Sequence, residues 1–462
     1  MIQIGRKDIF WNYGATFLKI ASSILLLPFV LRTMPSEKVG IWSIFMTITA
    51  FSTLLDFGFS SSFTRNVTYV FSGVRNLKVK GFEYAVSENQ IVDYGLLKGV
   101  ITAMRWFYLR MSIILFFILS TLGTFYIFSL LRSYKGDHQE VYFAWVLLCF
   151  INTYNLYTQY YDSLLQGKGL VKRSKQIVIV GQTVYFLIAT ILIMSGFGLV
   201  AVISAQVSSV IIIRWLAYHS FFTMDLKHRL NMVLPRPPKE VLKAIYPNAL
   251  KIGLTSLGAF VVQRSAIIIG SLYLPLEVIA TYSITIQLIS VIASLAGIYT
   301  LTYQPKMAQL RVDSNSYAIK TLYLKGQIVF LMTYILGGIS LLIFGELALN
   351  FVGSQTKLLP SIIVLVALII SLLENNHGIA GAILLTNNEV PFFKASLLAG
   401  AITICILIVM FYYTNVNIWA MILAPGIAHL YNNFKWPYEV IKQLNISLKD
   451  IAKSYFNLNN SL

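Results

Sequence analysis

Charge is what this chain has least of. Only 12% of its 462 residues are Asp, Glu, Lys or Arg, where soluble domains carry about 25%. That shortage excludes an ordinary solvated surface around a core. Acids are the scarcer sign, 18 against 36 basic residues, for a net charge of +18. Cysteine is almost missing. Cys149 and Cys405 both fall inside apolar runs, so no disulfide framework is expected and cysteine usage says nothing about redox compartment. The five histidines are scattered and form no metal-ligand pattern with cysteine. No Gly-rich phosphate loop ends in Lys-Ser/Thr, which excludes an ATPase module. No cofactor and no enzymatic activity are expected, so energy for any transport has to come from an ion gradient or from the substrate's own gradient.

What fills the chain instead is apolar sequence, 57% of residues. Runs of about 20 residues, the length a helix needs to cross a bilayer, recur from end to end. Twelve are expected: 11–32, 40–59, 110–131, 141–164, 176–195, 198–216, 249–272, 278–301, 325–345, 359–385, 391–413 and 417–434. The first is too long and too polar at its ends for a signal peptide, so it is expected to be retained. No sizeable soluble domain is left over. Basic loops beside membrane helices account for the positive charge, and no nucleic-acid partner is expected.

Lys and Arg also set the expected orientation. With the N-terminus in the cytoplasm, 28 of the 36 fall in cytoplasmic segments and 5 in external loops; Lys19, Arg110 and Arg264 remain within spans. That bias favours both termini inside. The long cytoplasmic segments are 60–109 and 217–248. The first places Phe63, Val67, Val70, Phe71 and Val74 on one helical face, which predicts an amphipathic helix in the membrane interface. The second holds Leu234-Pro-Arg-Pro-Pro-Lys239, a stiff linker near mid-chain. It divides an N-lobe (1–216) from a C-lobe (249–434), with a cytoplasmic tail at 435–462.

The lobes read as repeats. Pro35-Ser-Glu-Lys-Val-Gly-Ile-Trp-Ser43 aligns without a gap to Pro275-Leu-Glu-Val-Ile-Ala-Thr-Tyr-Ser283, each forming the turn between the first two spans of its lobe. Six spans per repeat keep both in one orientation. The expected fold class is therefore an all-α integral membrane protein, about 12 transmembrane helices in two six-helix lobes related by a pseudo-two-fold along the membrane normal.

Arg32-x-x-Pro-x-Glu-x-x-Gly40, then Leu55-Asp-Phe-Gly58 followed by Arg65, and the repeated turn near Tyr282 resemble the polysaccharide-exporter branch of the MATE-like multidrug/oligosaccharidyl-lipid/polysaccharide superfamily. Wzx-type O-antigen flippases belong to that branch. The resemblance is best over 11–70 and 250–310. It implies two lobes in a V and alternating-access movement of an undecaprenyl-diphosphate-linked oligosaccharide from the inner to the outer leaflet. It also implies the bacterial cytoplasmic membrane as location, with membrane lipids and a polysaccharide polymerase as partners. Lipid II flippases of the same superfamily usually have two further spans, which this sequence lacks.

Ionisable groups at membrane depth are functional candidates by default. Lys19 lies roughly 12 Å into the first span and Arg264 roughly 22 Å into the seventh, at 1.5 Å per residue. A cation on each lobe would offset the desolvation of a lipid diphosphate, and arginine grips phosphate oxygens as a fork. Alternatively Lys19 snorkels to the surface and Arg264 pairs with a carboxylate or carbonyls. The resemblance implies an acid beside this arginine, but its neighbours are Gln263 and Ser265.

Glu374 and His377 share a helix face at i,i+3 spacing and are candidates for proton coupling; the alternatives are a counter-ion for Arg264 or a kinked, hydrated helix. Asp56, near the end of span two, suits a helix cap or a gate contact. In span four, Asn152, Asn155 and Gln159 share one face and are candidates for a glycan path, with interhelical packing as the alternative. Tyr154, Tyr157 and Tyr161 share the opposite face, and Asp162 at the mouth is expected to be solvated.

Three functions fit a chain of this kind. A flippase for lipid-linked oligosaccharide is favoured. A MATE-like multidrug/cation antiporter would want an acidic or aromatic cavity, against which the deep cations argue. A membrane glycosyltransferase or polymerase would need a large catalytic loop, and the external loops are too short.

Overall fold

The computed structural model describes residues 25–74, 92–312, 315–386, 391–414, 417–447 and 450, with Trp11, Gly14, Leu18 and Ser22 as single positions. Among the described residues the secondary structure is helical, without strands. Residues 25–33 (α1) lead to Pro35, which starts Ser36–Leu54 (α2). Phe59–Phe71 (α3) follows a short break. Tyr94–Leu131 (α4) is one long helix with a π-helical turn at Leu119–Gly123. His138–Thr158 (α5) and Tyr160–Gly167 (α6) part at Gln159. Val171–Met194 (α7), Gly198–Phe221 (α8) and the short Met224–Asn231 (α9) come next. Pro238–Gly270 (α10), Leu276–Ala296 (α11), Ile298–Val312 (α12) and Ser316–Val352 (α13) follow. The last four are Ser361–Leu385 (α14), Phe393–Tyr413 (α15), Ile418–Ala428 (α16) and Leu430–Gln443 (α17).

Eight of these stretches are long and apolar enough to cross a membrane: α4, α7, α8, Gly253–Gly270 of α10, α11, α13, α14 and α15. Large apolar side chains such as Phe117, Phe125, Ile191 and Leu336 point outward and are exposed, as lipid-facing helices require. The chain is a multi-pass membrane protein. The first expected span lies mostly outside the described residues. The second, fourth and twelfth are not among the eight, and each contains a helix break: after Leu54, at Gln159 and at His429.

The chain divides into two compact units, one of 1–38 with 44–256 and one of 39–43 with 257–462. The boundary falls inside α10, beyond the expected linker, because residues 238–248 are already helical. The proline-rich stretch before α10 is laced to the start of α4. Lys98 donates to the Val233 carbonyl (2.8 Å), and Arg236 donates its backbone N–H to the Gly95 carbonyl (3.2 Å) and its guanidinium to Asp93 (2.7 Å).

Pro35 and Pro275 precede α2 and α11 with almost the same backbone angles, φ −55 and ψ 151 against φ −58 and ψ 151. Proline's fixed φ suits this entry, and Glu37 and Glu277 sit in the first turns, favoured by the helix dipole. α2 and α11 also break at matching places, before α3 and before α12. Local geometry thus repeats as the aligned turns led one to expect.

One expectation is corrected here. The apolar face of α3 does not rest in the membrane interface. Phe59, Phe63, Val67 and Val70 are buried in the first unit. Phe59 stacks on Phe107 at 3.9 Å, and Gly167 of α6 lies so close that an added Cβ would stand 2.6 Å from Val67 Cβ. An amphipathic pattern specifies a buried face without saying whether lipid or protein covers it.

Candidate functional site

In the first unit, polar side chains gather where α2 breaks. Phe57 and Gly58 take left-handed angles, φ 45 and 69, which interrupts the helix before α3 begins. Asp56 is buried and accepts the Ser60 backbone N–H at 3.1 and 3.2 Å, capping α3; the buried Tyr108 hydroxyl donates to the same carboxylate. Of the two roles expected for Asp56, a helix cap or a gate contact, these bonds are of the capping kind. Gly253 of α10 is required beside this turn, since its Cβ would stand 2.5 Å from Phe57 Cα.

The amides of span four are engaged by protein. Asn152 is 1% exposed and donates to Thr49 at 3.3 Å. Asn155 accepts from Arg214 of α8 at 2.7 Å, and Asp162 accepts from the same guanidinium at 2.8 Å. Gln159 occupies the break between α5 and α6. Asp162 is therefore ion-paired with Arg214, correcting the expectation that it is solvated. Arg214 was missed because it lies near the end of an apolar run and was counted with the following basic loop. The signal available was Asp162 one turn beyond the Asn155–Gln159 face, which asks for a cation. On the opposite side of α5, Tyr154 and Tyr157 line an apolar groove of about 460 Å³ with Phe116, Phe117 and Phe150 of α4 and α5.

In the second unit the expected residues lie in two different settings. Arg264 of α10 is exposed. Among the described residues no carboxylate, carbonyl or side-chain oxygen binds its guanidinium, and its neighbour Ser265 keeps a buried hydroxyl without a partner. The counter-ion reading for Glu374 does not hold, because that carboxylate is committed elsewhere. Lys19 lies outside the described residues.

Glu374 of α14 meets His429 (Oε1 to Nδ1, 3.2 Å). His377, one turn on, donates from Nδ1 to Asn433 Oδ1 at 2.6 Å. The two imidazoles touch edge to face, centroids 4.9 Å apart at 88°. Glu374 and His377 thus share a face, as their spacing requires, but bind different residues of the last span. His429 and Asn433 are 8% and 4% exposed. Pro425 lies inside α16 and has no N–H for the Met421 carbonyl. Tyr282 of α11 supplies the missing donor from its hydroxyl, at 3.4 Å. His429 was the residue to notice in sequence, a histidine inside an apolar run four places after a proline.

With this geometry in view, comparisons locate the fold. No known protein-family pattern matches the chain, and no curated protein matches it in sequence. Solved structures do. An inward-facing multidrug resistance MATE family transporter of the MOP superfamily is 17% identical with a TM-score of 0.61, covering 93% of this chain and 94% of that one. The lipid II flippase MurJ, in an inward closed conformation, is 14% identical with a TM-score of 0.62, covering 96% and 90%. A MOP superfamily transporter from Pyrococcus furiosus is 16% identical with a TM-score of 0.54, covering 95% and 94%. The chain has the MOP transporter fold. At these identities the likeness concerns architecture and assigns no substrate.

Proposed function

We propose that this chain is a flippase that moves an undecaprenyl-diphosphate-linked oligosaccharide, a repeat unit for O-antigen, capsule or exopolysaccharide, from the inner to the outer leaflet of a bacterial cytoplasmic membrane. The observation that carries the reading is Arg264: an exposed guanidinium on a membrane-spanning helix with no protein partner among the described residues. A charge in that position is costly unless something compensates it, and an anionic ligand does so. A diphosphate offers the paired oxygens that a guanidinium fork fits. The unpartnered Ser265 hydroxyl beside it adds a hydrogen-bonding group. Lys19 on the first span is the second cation of this reading.

The sign of the charge weighs against the multidrug/cation antiporter, the other function carried by proteins of this fold. A solved MOP transporter is itself described as having a binding pocket of reversed polarity that suggests a different function, so the fold accommodates both signs. MurJ provides a precedent for a lipid-linked cargo on this fold.

The test is a series at Arg264. Lysine keeps the charge and loses the fork; alanine removes both. Export of lipid-linked repeat units should fall in the order arginine, lysine, alanine, with membrane levels and unfolding temperature unchanged. Wild-type export by the Arg264→Ala protein would end the proposal.

A further inference from the structure

The groove between α4 and α5 lies in the first unit and has no part in the reading built on Arg264. Arg105, Leu109, Ser112 and Phe116 recur at i, i+4, i+7 and i+11 along α4, so they keep one face. Tyr157, Tyr154 and Phe150 do the same on α5. The two helices run antiparallel: Arg105 meets Tyr160 just past α5, Phe116 meets Phe150 at 5.7 Å, and Thr124 meets Trp145 at 3.0 Å. We propose that this groove is a fixed site for one anionic glycerophospholipid of the adjoining leaflet, with an acyl chain between α4 and α5 and the phosphate on Arg105.

The walls suit hydrocarbon. Ser112 and Thr153 lie in the groove, but each hydroxyl donates to a carbonyl of its own helix, Leu109 and Cys149, both at 2.8 Å. The outer end is closed by Phe116, Phe117 and Phe150. Beyond them α4 enters its π-helical turn, and Gly123 lets α5 come so near that an added Cβ would stand 2.8 Å from the Trp145 ring. From Arg105 to Phe117 the groove and its mouth span roughly 18 Å at 1.5 Å per residue. One leaflet of hydrocarbon is about 15 Å deep. That length fits an acyl chain, whereas an undecaprenyl chain is much longer than a leaflet is deep.

The inner end carries the charge. Arg105 is exposed. Its Nε donates to the Tyr160 hydroxyl at 3.3 Å, and its guanidinium lies over the Phe222 ring at 5.8 Å. These contacts orient the fork, and among the described residues its two terminal amino groups have no partner. Tyr157 lines the groove within electrostatic reach of this guanidinium, and its own hydroxyl has no partner among the described residues. A phosphate fits such a pair of donors. Asp162 does not compete for Arg105 or receive a headgroup ammonium, because it is committed to Arg214. An anionic headgroup is therefore favoured over a zwitterionic one. One position along α4, exposed Trp106 stacks under Arg110 at 3.7 Å. Tryptophan and arginine side chains of this kind mark the headgroup level, which puts Arg105 at the depth of lipid phosphates.

The test uses delipidated full-length protein in detergent, titrated with dioleoyl phosphatidylglycerol or dioleoyl phosphatidylcholine and read by native mass spectrometry. The first phosphatidylglycerol should bind at least about fivefold tighter than the first phosphatidylcholine. Arg105→Gln keeps a donor toward Tyr160 and loses the charge, so the preference should vanish while phosphatidylcholine binding stays. Arg229→Gln, which alters an exposed arginine already paired with Asp225, should keep the preference. Ile113→Trp fills the groove from its exposed wall and should weaken the first lipid of either kind. Equal affinities in the parent, a preference that survives Arg105→Gln, one lost equally in Arg229→Gln, or unchanged binding by Ile113→Trp would overturn the site. So would undecaprenyl phosphate displacing phosphatidylglycerol at lower concentration, which would make the groove a cargo site, or a lipid-free dimer, which would make it an interface between copies. Arg264→Ala should bind phosphatidylglycerol like the parent whether or not it exports, so the flippase reading and this one fail separately.

Discussion

Two arginines in membrane-spanning helices, one in each unit, make opposite use of the same side chain. Arg214 is 6% exposed and binds Asp162 and Asn155. Arg264 is exposed and binds no described residue. Both were charges in apolar sequence, and depth alone singled out Arg264. What separates them is compensation. A guanidinium that protein has neutralised is part of the scaffold; one left open is compensated by water, a headgroup or a ligand. The acids are held in different ways. Asp56 is held by a backbone N–H and Tyr108 beside the start of α3, whereas Glu374 meets the side chain of His429 from another helix.

The sharpest test of this contrast is stability. Arg214→Ala leaves Asp162 partly buried without its cation, and removing one partner of such a pair costs about 3 kcal/mol or more. Its unfolding midpoint in detergent should drop steeply and its membrane level should fall. Arg264→Ala should stay within about 0.5 kcal/mol of the parent. Equal losses in the two variants would break the distinction. Asp56→Ala comes next. It removes a cap worth about 1 kcal/mol and leaves the Tyr108 hydroxyl unsatisfied at about 1–3 kcal/mol, so the amount of folded protein and its unfolding midpoint should both fall.

A smaller effect tests the scaffold of the first unit. Gly198 holds φ 51, and an added Cβ would crowd Glu140 Oε1. That oxygen accepts the Leu199 N–H at 2.7 Å while Lys38 binds the other carboxylate oxygen at 2.5 Å. Gly198→Ala should cost about 1–2 kcal/mol through left-handed strain alone, read as a lower unfolding midpoint with export activity per folded molecule unchanged.

The smallest effect lies at the end of the second unit. Asp450 pairs with Lys320 at 2.5 Å, and the hydrogen bond from Lys320, helped by Ser447, holds its carboxyl well below the usual carboxylate range. A lowered folded-state pKa adds stability that is complete above the unfolded value, near about 4, and is lost as pH falls toward the folded value. Asp450→Asn should therefore lower the unfolding midpoint slightly at neutral pH, with the difference shrinking below about pH 4. A difference that grows on acidification would reverse the assignment.

Much of the architecture was legible before any coordinates. Run length and the near absence of charge require membrane-spanning helices, because backbone polar groups in lipid have no partner but one another. The proline turns at Pro35 and Pro275 announced a repeat that the helix entries reproduce. Asp56 was legible as a helix cap or a gate contact near the end of span two, and the structure sets its carboxylate against the Ser60 N–H. What no sequence pattern decided is which polar groups meet across helices. Arg214 with Asp162, Glu374 with His429 and Tyr282 with Met421 join residues far apart in the chain. Spacing along a helix defines a face, but the partner on that face is chosen by packing. Only tertiary structure therefore showed which deep charges are neutralised within the protein and which remain open.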